Sequence, residues 1–352
     1  MIEVKEAYSK FTARKMLFIL VSLGGLIALV LVATSLGSAD LGVNNVAHAI
    51  AARIFPFLNL EVSTKVNVIV WDIRLPRIVL GILAGAGLAI SGAAMQGIMR
   101  NPLVSPFTIG VSSAAGFGAS VAIVLGAGMV GGQKYLVITN AFVFALLAAF
   151  LVYGLARIRG MRPETLILAG IALMYFFSAG TSLLQYIATE QELHAVVHWL
   201  FGSLTGASWE NILVVSIIFS CCLPFLIKYS WDLNAMIAGD EVATTLGVNT
   251  RRVRMICMAL ATLVTAGIIC FTGIIGFVCL VAPHITRMII GADHRFLLPC
   301  SCILGGLLLL GADTIGRTAF QPATIPVGIV ISIIGVPFFV YLILRTRKEY
   351  FQ

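Results

Sequence analysis

Ten apolar runs, set apart by short polar clusters, constrain the fold of this chain more than any other feature. A helix needs roughly twenty consecutive apolar residues to cross the hydrocarbon core of a bilayer. The runs fall at residues 16 to 37, 77 to 98, 107 to 128, 136 to 156, 166 to 188, 209 to 228, 254 to 272, 276 to 291, 297 to 312 and 326 to 344. Of the 352 residues, 60% are hydrophobic and 11% charged, against roughly a quarter charged in an ordinary soluble domain. A soluble core cannot absorb that much apolar surface. The expected fold class is an all-α polytopic membrane protein with about ten transmembrane helices.

The first run follows Glu3, Lys5, Glu6, Lys10, Arg14 and Lys15, an arrangement superficially like a secretory signal. Signal cores are about 7 to 15 residues long, so a retained first helix is the better reading. Residues 1–15 then form an N-terminal cytoplasmic segment, 16–344 a single transmembrane domain and 345–352 a cytoplasmic tail. The seven cysteines, Cys221, Cys222, Cys257, Cys270, Cys279, Cys300 and Cys302, lie in or beside apolar runs without CxxC spacing. They read as small packing residues rather than zinc ligands.

Ten spans put both termini on one side. With that side cytoplasmic, seventeen basic residues fall inside: Lys5, Lys10, Arg14, Lys15, Arg100, Arg157, Arg159, Arg162, Lys228, Arg251, Arg252, Arg254, Arg287, Arg295, Arg345, Arg347 and Lys348. Six fall outside: Arg53, Lys65, Arg74, Arg77, Lys134 and Arg317. The positive-inside rule selects this orientation. It also accounts for the net charge of +8 without a nucleic-acid partner.

Gly81, Gly85, Ala89, Ala93 and Gly97 recur at every fourth position of the second run, and Gly110, Ala114 and Gly118 repeat the device in the third. Such faces of nearly bare backbone let helices associate in lipid by close van der Waals contact. Between these runs lies Arg100-Asn101-Pro102-Leu103-Val104-Ser105-Pro106, whose prolines impose extended or turned backbone. Irregular backbone at membrane depth must be enclosed by protein or line a watery cavity. The loop is therefore either a pore element or a plain cytoplasmic turn.

No lysine follows a glycine, so the GK[ST] phosphate loop is absent, as are G-x-S-x-G, H-E-x-x-H and calcium-loop patterns. His194 and His198, four apart with Glu190 and Glu192 nearby, would share a helix face as a metal site requires. Trp199 and Phe201 just beyond fit an interfacial helix better. His284 after Pro283 reads as a helix-end hydrogen-bonding residue. The middles of the runs hold essentially no ionisable residues, which disfavours an ion-coupled secondary transporter. Three of the six outer cations, Arg74, Arg77 and Arg317, stand at helix ends. They suit bidentate capture of an acidic partner or an internal pair such as Arg317 with Asp313. On the inner side Asp240 and Glu241 open a short helix-like stretch closed by Gly247. It is either a handle for a soluble subunit or an idle surface helix.

In order along residues 66 to 344, the chain carries RLPR at 74–77, GAGLAISGAAMQGIMRNPL at 85–103, LAGIAL at 168–173 and WLFGSL at 199–204. GDEVATTLGV at 239–248, GIIGFVCLVAPHITR at 273–287, GADHRFLLP at 291–299, and GADTIGR with IPVGIV at 311–330 follow. These motifs resemble the FecCD family of ABC importer permeases, which serve iron-siderophores, haem and cobalamin. The resemblance implies the type II permease fold in the cell membrane. It also implies a homodimer enclosing a central path, two cytoplasmic ATPase subunits and an extracytoplasmic substrate-binding protein. The chain itself would be no enzyme and bind no cofactor, with ATP and Mg used by the ATPase.

Carried over by motif, Arg74, Arg77 and Arg317 resemble the arginines that dock acidic residues of the binding protein. Gly239, Asp240, Glu241, Ala243, Leu246 and Gly247 resemble the coupling helix seated on the ATPase. Asn101 and Leu103 are similar to the inner gate, with Pro163, Glu164 and Thr165 in the second gate position, where this sequence departs from a small hydroxylic pair. Ser178, Thr181 and Ser182 on the fifth span suit a weakly binding path or hydroxyls bonded back to their own helix. An ion-coupled transporter, and less so an intramembrane metalloenzyme using His194 and His198, are the rival readings.

Overall fold

The computed structural model describes residues 2–37, 41–58, 60–128, 133–158, 160–321 and 323–345. The expected tail beyond Arg345 and the basic residue Arg159 lie outside the described residues.

In chain order the helices are α1 (Ile2–Ser35), α2 (Val43–Ile54), α3 (Thr64–Val68), α4 (Leu75–Met99), α5 (Val111–Leu125), α6 (Gln133–Ile158), α7 (Pro163–Ile187) and α8 (Glu190–Leu200). They continue as α9 (Trp209–Lys228), α10 (Ser230–Ile237), α11 (Asp240–Thr245), α12 (Thr250–Thr272), α13 (Val278–Ile290), α14 (His294–Thr318) and α15 (Val327–Arg345). Among the described residues seven helical stretches are long and apolar enough to cross a membrane, and three shorter apolar helices, Val111–Leu125, Val278–Ile290 and Val327–Phe338, occupy the remaining runs. The ten runs thus all become helices, but not ten equal ones.

α1 runs unbroken from Ile2 into the first apolar span, Arg14–Ser35. Two boundaries differ from the sequence reading. The second span does not open at Arg77. A proline inside a helix clashes with the carbonyl four residues back, yet here the six-residue π-helical turn Ile69–Arg74 precedes Pro76. Widening the ladder at that turn carries the helix through, giving one stretch from Thr64 to Met99. The third span is broken: the loop ends in a capping box of Ser105 with Thr108 and a 3-10 turn, Pro106–Ile109, and Gly110 at φ 82° then redirects the chain into α5.

Glycine sets the packing at the centre. α4 lies antiparallel to α14, and a methyl group added to Gly85 would overlap the carbonyl of Gly305, so the two backbones touch there. A methyl on Gly92 would likewise fall on the backbone carbonyl of Cys279 in α13, and Gly97 abuts the His294 ring. With contacts so close, α4 is buried along nearly its whole length. Van der Waals contact is the available drive for helix association in lipid, and it requires such approaches. Gly92→Val is expected to cost about 1–3 kcal/mol by overpacking, read as a lower melting temperature of the purified chain in detergent. Gly154→Ala is the control and is expected to be neutral, because its added methyl meets nothing within 4 Å.

Candidate functional site

The candidate functional residues collect at the two ends of the α4/α14 pair. At 1.5 Å per residue the 25-residue α4 separates those ends by about 37 Å. At one end stand Arg74 and Arg77 with Asp313 and Arg317; at the other, Arg100 with α11.

Arg77 grips Asp313 through Nε at 3.0 and 3.1 Å and Nη2 at 2.8 Å, and Arg317 Nε reaches the second carboxylate oxygen at 3.1 Å. Arg317 also donates to the carbonyls of Leu36 and Ala33 at 3.1 and 3.2 Å. Arg74 donates to those of Thr34 and Ser35 at 2.6 and 2.9 Å. Two arginines therefore satisfy the last carbonyls of α1, which a helix C-terminus leaves without intrahelical partners. All three arginines are at most 8% exposed and Asp313 is 1% exposed. The three arginines line a cavity of about 140 Å³ together with Gly37, Ile69, Ile73 and Thr324. Among the described residues, three arginines and one carboxylate make up this end. The internal pair of Arg317 with Asp313 is present, and Arg77 joins it.

At the opposite end Gly239, at φ 112°, turns the chain from α10 into α11, and Gly247, at φ 86°, closes α11. Ala243 is buried beneath the helix, whereas Glu241, Val242 and Leu246 are exposed, Leu246 at 68%. Asp240 pairs with Arg254 Nη2 at 2.5 Å and lies 3.8 Å from Arg100 Nη2. The hydrogen bond from Arg254 holds the Asp240 carboxyl below the usual carboxylate range, against the opposing effect of burial. Asp293, at the start of α14, would be raised by burial alone. Hydrogen bonds from Arg295 and Asn234 reverse that and bring it to about 2.

Arg100 takes the left-handed conformation, φ 49°, at the end of α4. There Asn101 N–H reaches the Gln96 carbonyl at 3.2 Å, and Arg100 N–H that of Gly97 at 3.3 Å, a Schellman closure. The Asn101 side chain accepts from Leu103 N–H at 2.9 Å, so the loop is locked by its own bonds. Leu103 is 51% exposed while Val104, Ser105 and Pro106 are buried. The 3-10 turn that follows rests on α7: no methyl fits at Gly170 against Thr108 and Ile109.

On α7, Pro163 is buried, Glu164 exposed and Thr165 half-buried. The hydroxyls do not share a face. Thr181 is buried and donates to Phe177 O at 3.0 Å, whereas Ser178 and Ser182 are exposed, with Ser182 donating to Ser178 O at 3.1 Å. Leu168, Ile171, Tyr175, Leu183 and Tyr186 extend that exposed stripe. Of the histidines, His194 and His198 are both exposed on α8, but Glu192 is committed to a capping box with Thr189, accepting its N–H at 2.8 Å. Among the described residues no three His, Cys, Asp or Glu side chains gather as metal ligands. Sequence reasoning missed Arg254, whose partners lie far off in sequence, and the role of Arg100, which only its left-handed backbone betrays.

The chain matches the FecCD transport family over residues 25–345. It is 41% identical to a protein of Methanocaldococcus jannaschii named as an ABC transporter permease, over 99% of each chain. It is 43% identical to the cobalamin import system permease protein BtuC of Halobacterium salinarum, over 83% of this chain and 77% of that one. Relatives named for hemin, iron(III) citrate and molybdate import also match. A solved structure described as an inward-facing conformation of a metal-chelate type ABC transporter superposes with a TM-score of 0.81 at 33% identity, covering 93% of this chain and 98% of that one. The chain belongs to the FecCD transport family, and is a multi-pass permease subunit of an ABC importer in the cell membrane, with ATP hydrolysis left to separate ATPase subunits.

Proposed function

We propose that the chain is one of two identical subunits that pass a metal chelate, an iron-siderophore, haem or corrinoid, across the membrane by alternating access. The observation that carries this reading is the division of labour along α4 and α14: a cationic arginine cavity at one end, an exposed short helix at the other, and an uncharged stripe of α7 between. The arginine end faces outward to a substrate-binding protein. α11 faces the cytoplasm, with both termini, and seats on the ATPase. The exposed face of α7, with Ser178 and the stiff loop at Asn101 and Leu103, lines the path, and Glu164 and Thr165 stand at its inner mouth. A lining without fixed charge suits a bulky cargo that must not be held tightly.

The test is uptake of labelled cobalamin, haemin and a ferric siderophore by cells lacking their own systems and supplied with this chain and its partner subunits. Accumulation of one of these that stops when the ATPase is removed supports the reading. Uptake that persists without the ATPase and collapses with the ion gradient would establish the ion-coupled alternative.

Docking carries its own prediction. A binding-protein glutamate entering the arginine cavity would meet Arg74, Arg77 and Arg317. Asp313 is held by Arg77 and Arg317, whereas Arg74 donates to the carbonyls of Thr34 and Ser35, so Arg74 can be changed without stranding Asp313. Arg74→Gln is expected to weaken capture of the binding protein about tenfold at low salt and less at high salt. Capture equal to wild type at every salt concentration removes Arg74 from the docking surface.

A further inference from the structure

At the end of α4 opposite the arginine cavity, a buried guanidinium connects three elements. Arg254, in the first turn of α12, is 2% exposed, an unusual depth for a guanidinium. Its Nε donates to the carbonyl of Ile98 in the last turn of α4 at 3.0 Å, and its Nη2 to Asp240 at 2.5 Å. One rigid planar fork therefore ties the end of α4 to the start of α11. The same Asp240 oxygen lies 3.8 Å from Nη2 of Arg100. Arg100 is the residue that leaves α4 in left-handed backbone and begins the loop to Asn101 and Leu103. A non-glycine residue held in that region costs free energy and persists when its surroundings fix it.

Beyond Arg100 the contacts continue without a gap. The loop is closed by its own bonds from Asn101 to Leu103 and from Ser105 to Thr108. The turn at Thr108 and Ile109 presses on Gly170 of α7 closely enough to exclude a methyl group. A displacement of α11 cannot be absorbed at Arg254, which is buried, so it passes to the end of α4 and to the loop. Coupling of this kind travels through contiguous packed and hydrogen-bonded groups, and its proof is an energetic one.

We infer that Asp240, held by Arg254 and Arg100, is a positioning residue that transmits movement of α11 to the Asn101–Leu103 loop and thence to α7. Asp240 is thus turned inward, away from the ATPase, and Glu241, Val242 and Leu246 are left for that contact. The inference rests on the reading of α11 as the element seated on the ATPase.

The test uses the full permease–ATPase complex in nanodiscs, with a fluorescent noncanonical amino acid in place of the exposed Leu103 and ATP as the only added ligand. Its readout is the probe's response to ATP per ATPase subunit bound. Asp240→Asn and Arg100→Gln are each expected to reduce that response about fivefold or more, and the double variant to be no worse than the stronger single one. Asp240→Glu, which keeps a carboxylate within reach of both arginines, is expected to restore most of it. A purely structural role would lower stability without this non-additivity or rescue.

A wild-type response in Arg100→Gln, or effects that add as independent losses, overturns the inference. Arg100 is partly exposed, so that variant decides the matter if Asp240→Asn folds poorly. Leu246→Asp separates the two readings. If it captures the ATPase as wild type does, the assignment of α11 falls and the inference with it; if capture is lost while the Arg100→Gln response is intact, the inference alone falls.

Discussion

Asp313→Ala is expected to destabilise the chain by about 3–5 kcal/mol, the cost of removing one partner from a buried ion pair. Among the described residues Asp313 is the one carboxylate bonded by Arg77, through both oxygens, and by Arg317, through one. Without it Arg77 loses the only acceptor described for its guanidinium, in a site 8% exposed. Two buried cations then repel each other without a carboxylate between them. Arg317 would remain bonded to the last carbonyls of α1, so the loss falls most heavily on Arg77 and on the α4/α14 contact. The measurement is a melting curve of the purified chain in detergent. Replacing Arg77 and Asp313 together by Met and Leu is expected to recover at least half of the loss, since a buried pair exchanged for packed apolar side chains is often near neutral. A variant Asp313→Ala that melts like the parent would mean that the arginines are satisfied elsewhere.

That arrangement changes what a charge reversal at this end can reveal. Glutamate at position 77 or 317 would sit against Asp313 and disrupt folding before docking could be measured. Arg74 is the informative position because Asp313 is held by Arg77 and Arg317 instead. The docking proposed for the cluster does not conflict with its structural role: it fastens the C-terminus of α1 to the central helices, and its arginines line a cavity large enough for an acidic side chain.

How far the sequence reading reached can be traced through particular residues. The apolar runs were visible because a bilayer demands about twenty residues of one character, and small residues at every fourth position marked the face that α14 covers. The pairing of Arg317 with Asp313 was also in view, since four residues apart on a helix means one face. Arg77 with Asp313 was not, because that contact spans 236 positions and depends on how α4 and α14 align. Pro76 looked like the start of a helix, and only a π turn, which leaves no compositional trace, carries the helix through it. Pro102 and Pro106 did predict irregular backbone, but not that it would extend to Gly110, read as part of a helix face, or that α7 would close over it at Gly170. On α7, hydroxyls at 178, 181 and 182 seem adjacent in sequence, yet at 100° per residue one of them turns into the core.

Leu246→Asp is expected to reduce capture of the ATPase about thirtyfold or more, the loss typical of a central interface residue near 2 kcal/mol. α11 has only six residues and is too short to be stable alone. It is held from beneath by Ala243, by the pairing of Asp240 with Arg254, and by Val248 N–H bonding back to the Ala243 carbonyl at 2.9 Å. These fix one face and leave Val242 and Leu246, four residues apart, side by side on the other, 45% and 68% exposed. A single exposed leucine is ordinary on any protein. An apolar pair projected from a short helix that is pinned so firmly is better explained by a partner's groove. Because Leu246 is largely in water, aspartate there leaves the melting temperature of the isolated permease within the small range of surface substitutions. The defect should therefore appear only when the ATPase is added, as lost co-purification and lost ATP-driven uptake. Val242→Asp is expected to act in the same direction. Undiminished capture by both variants would place the ATPase contact elsewhere, with the cleft beside Thr244, Gly247 and Asn249 next in line for the same test.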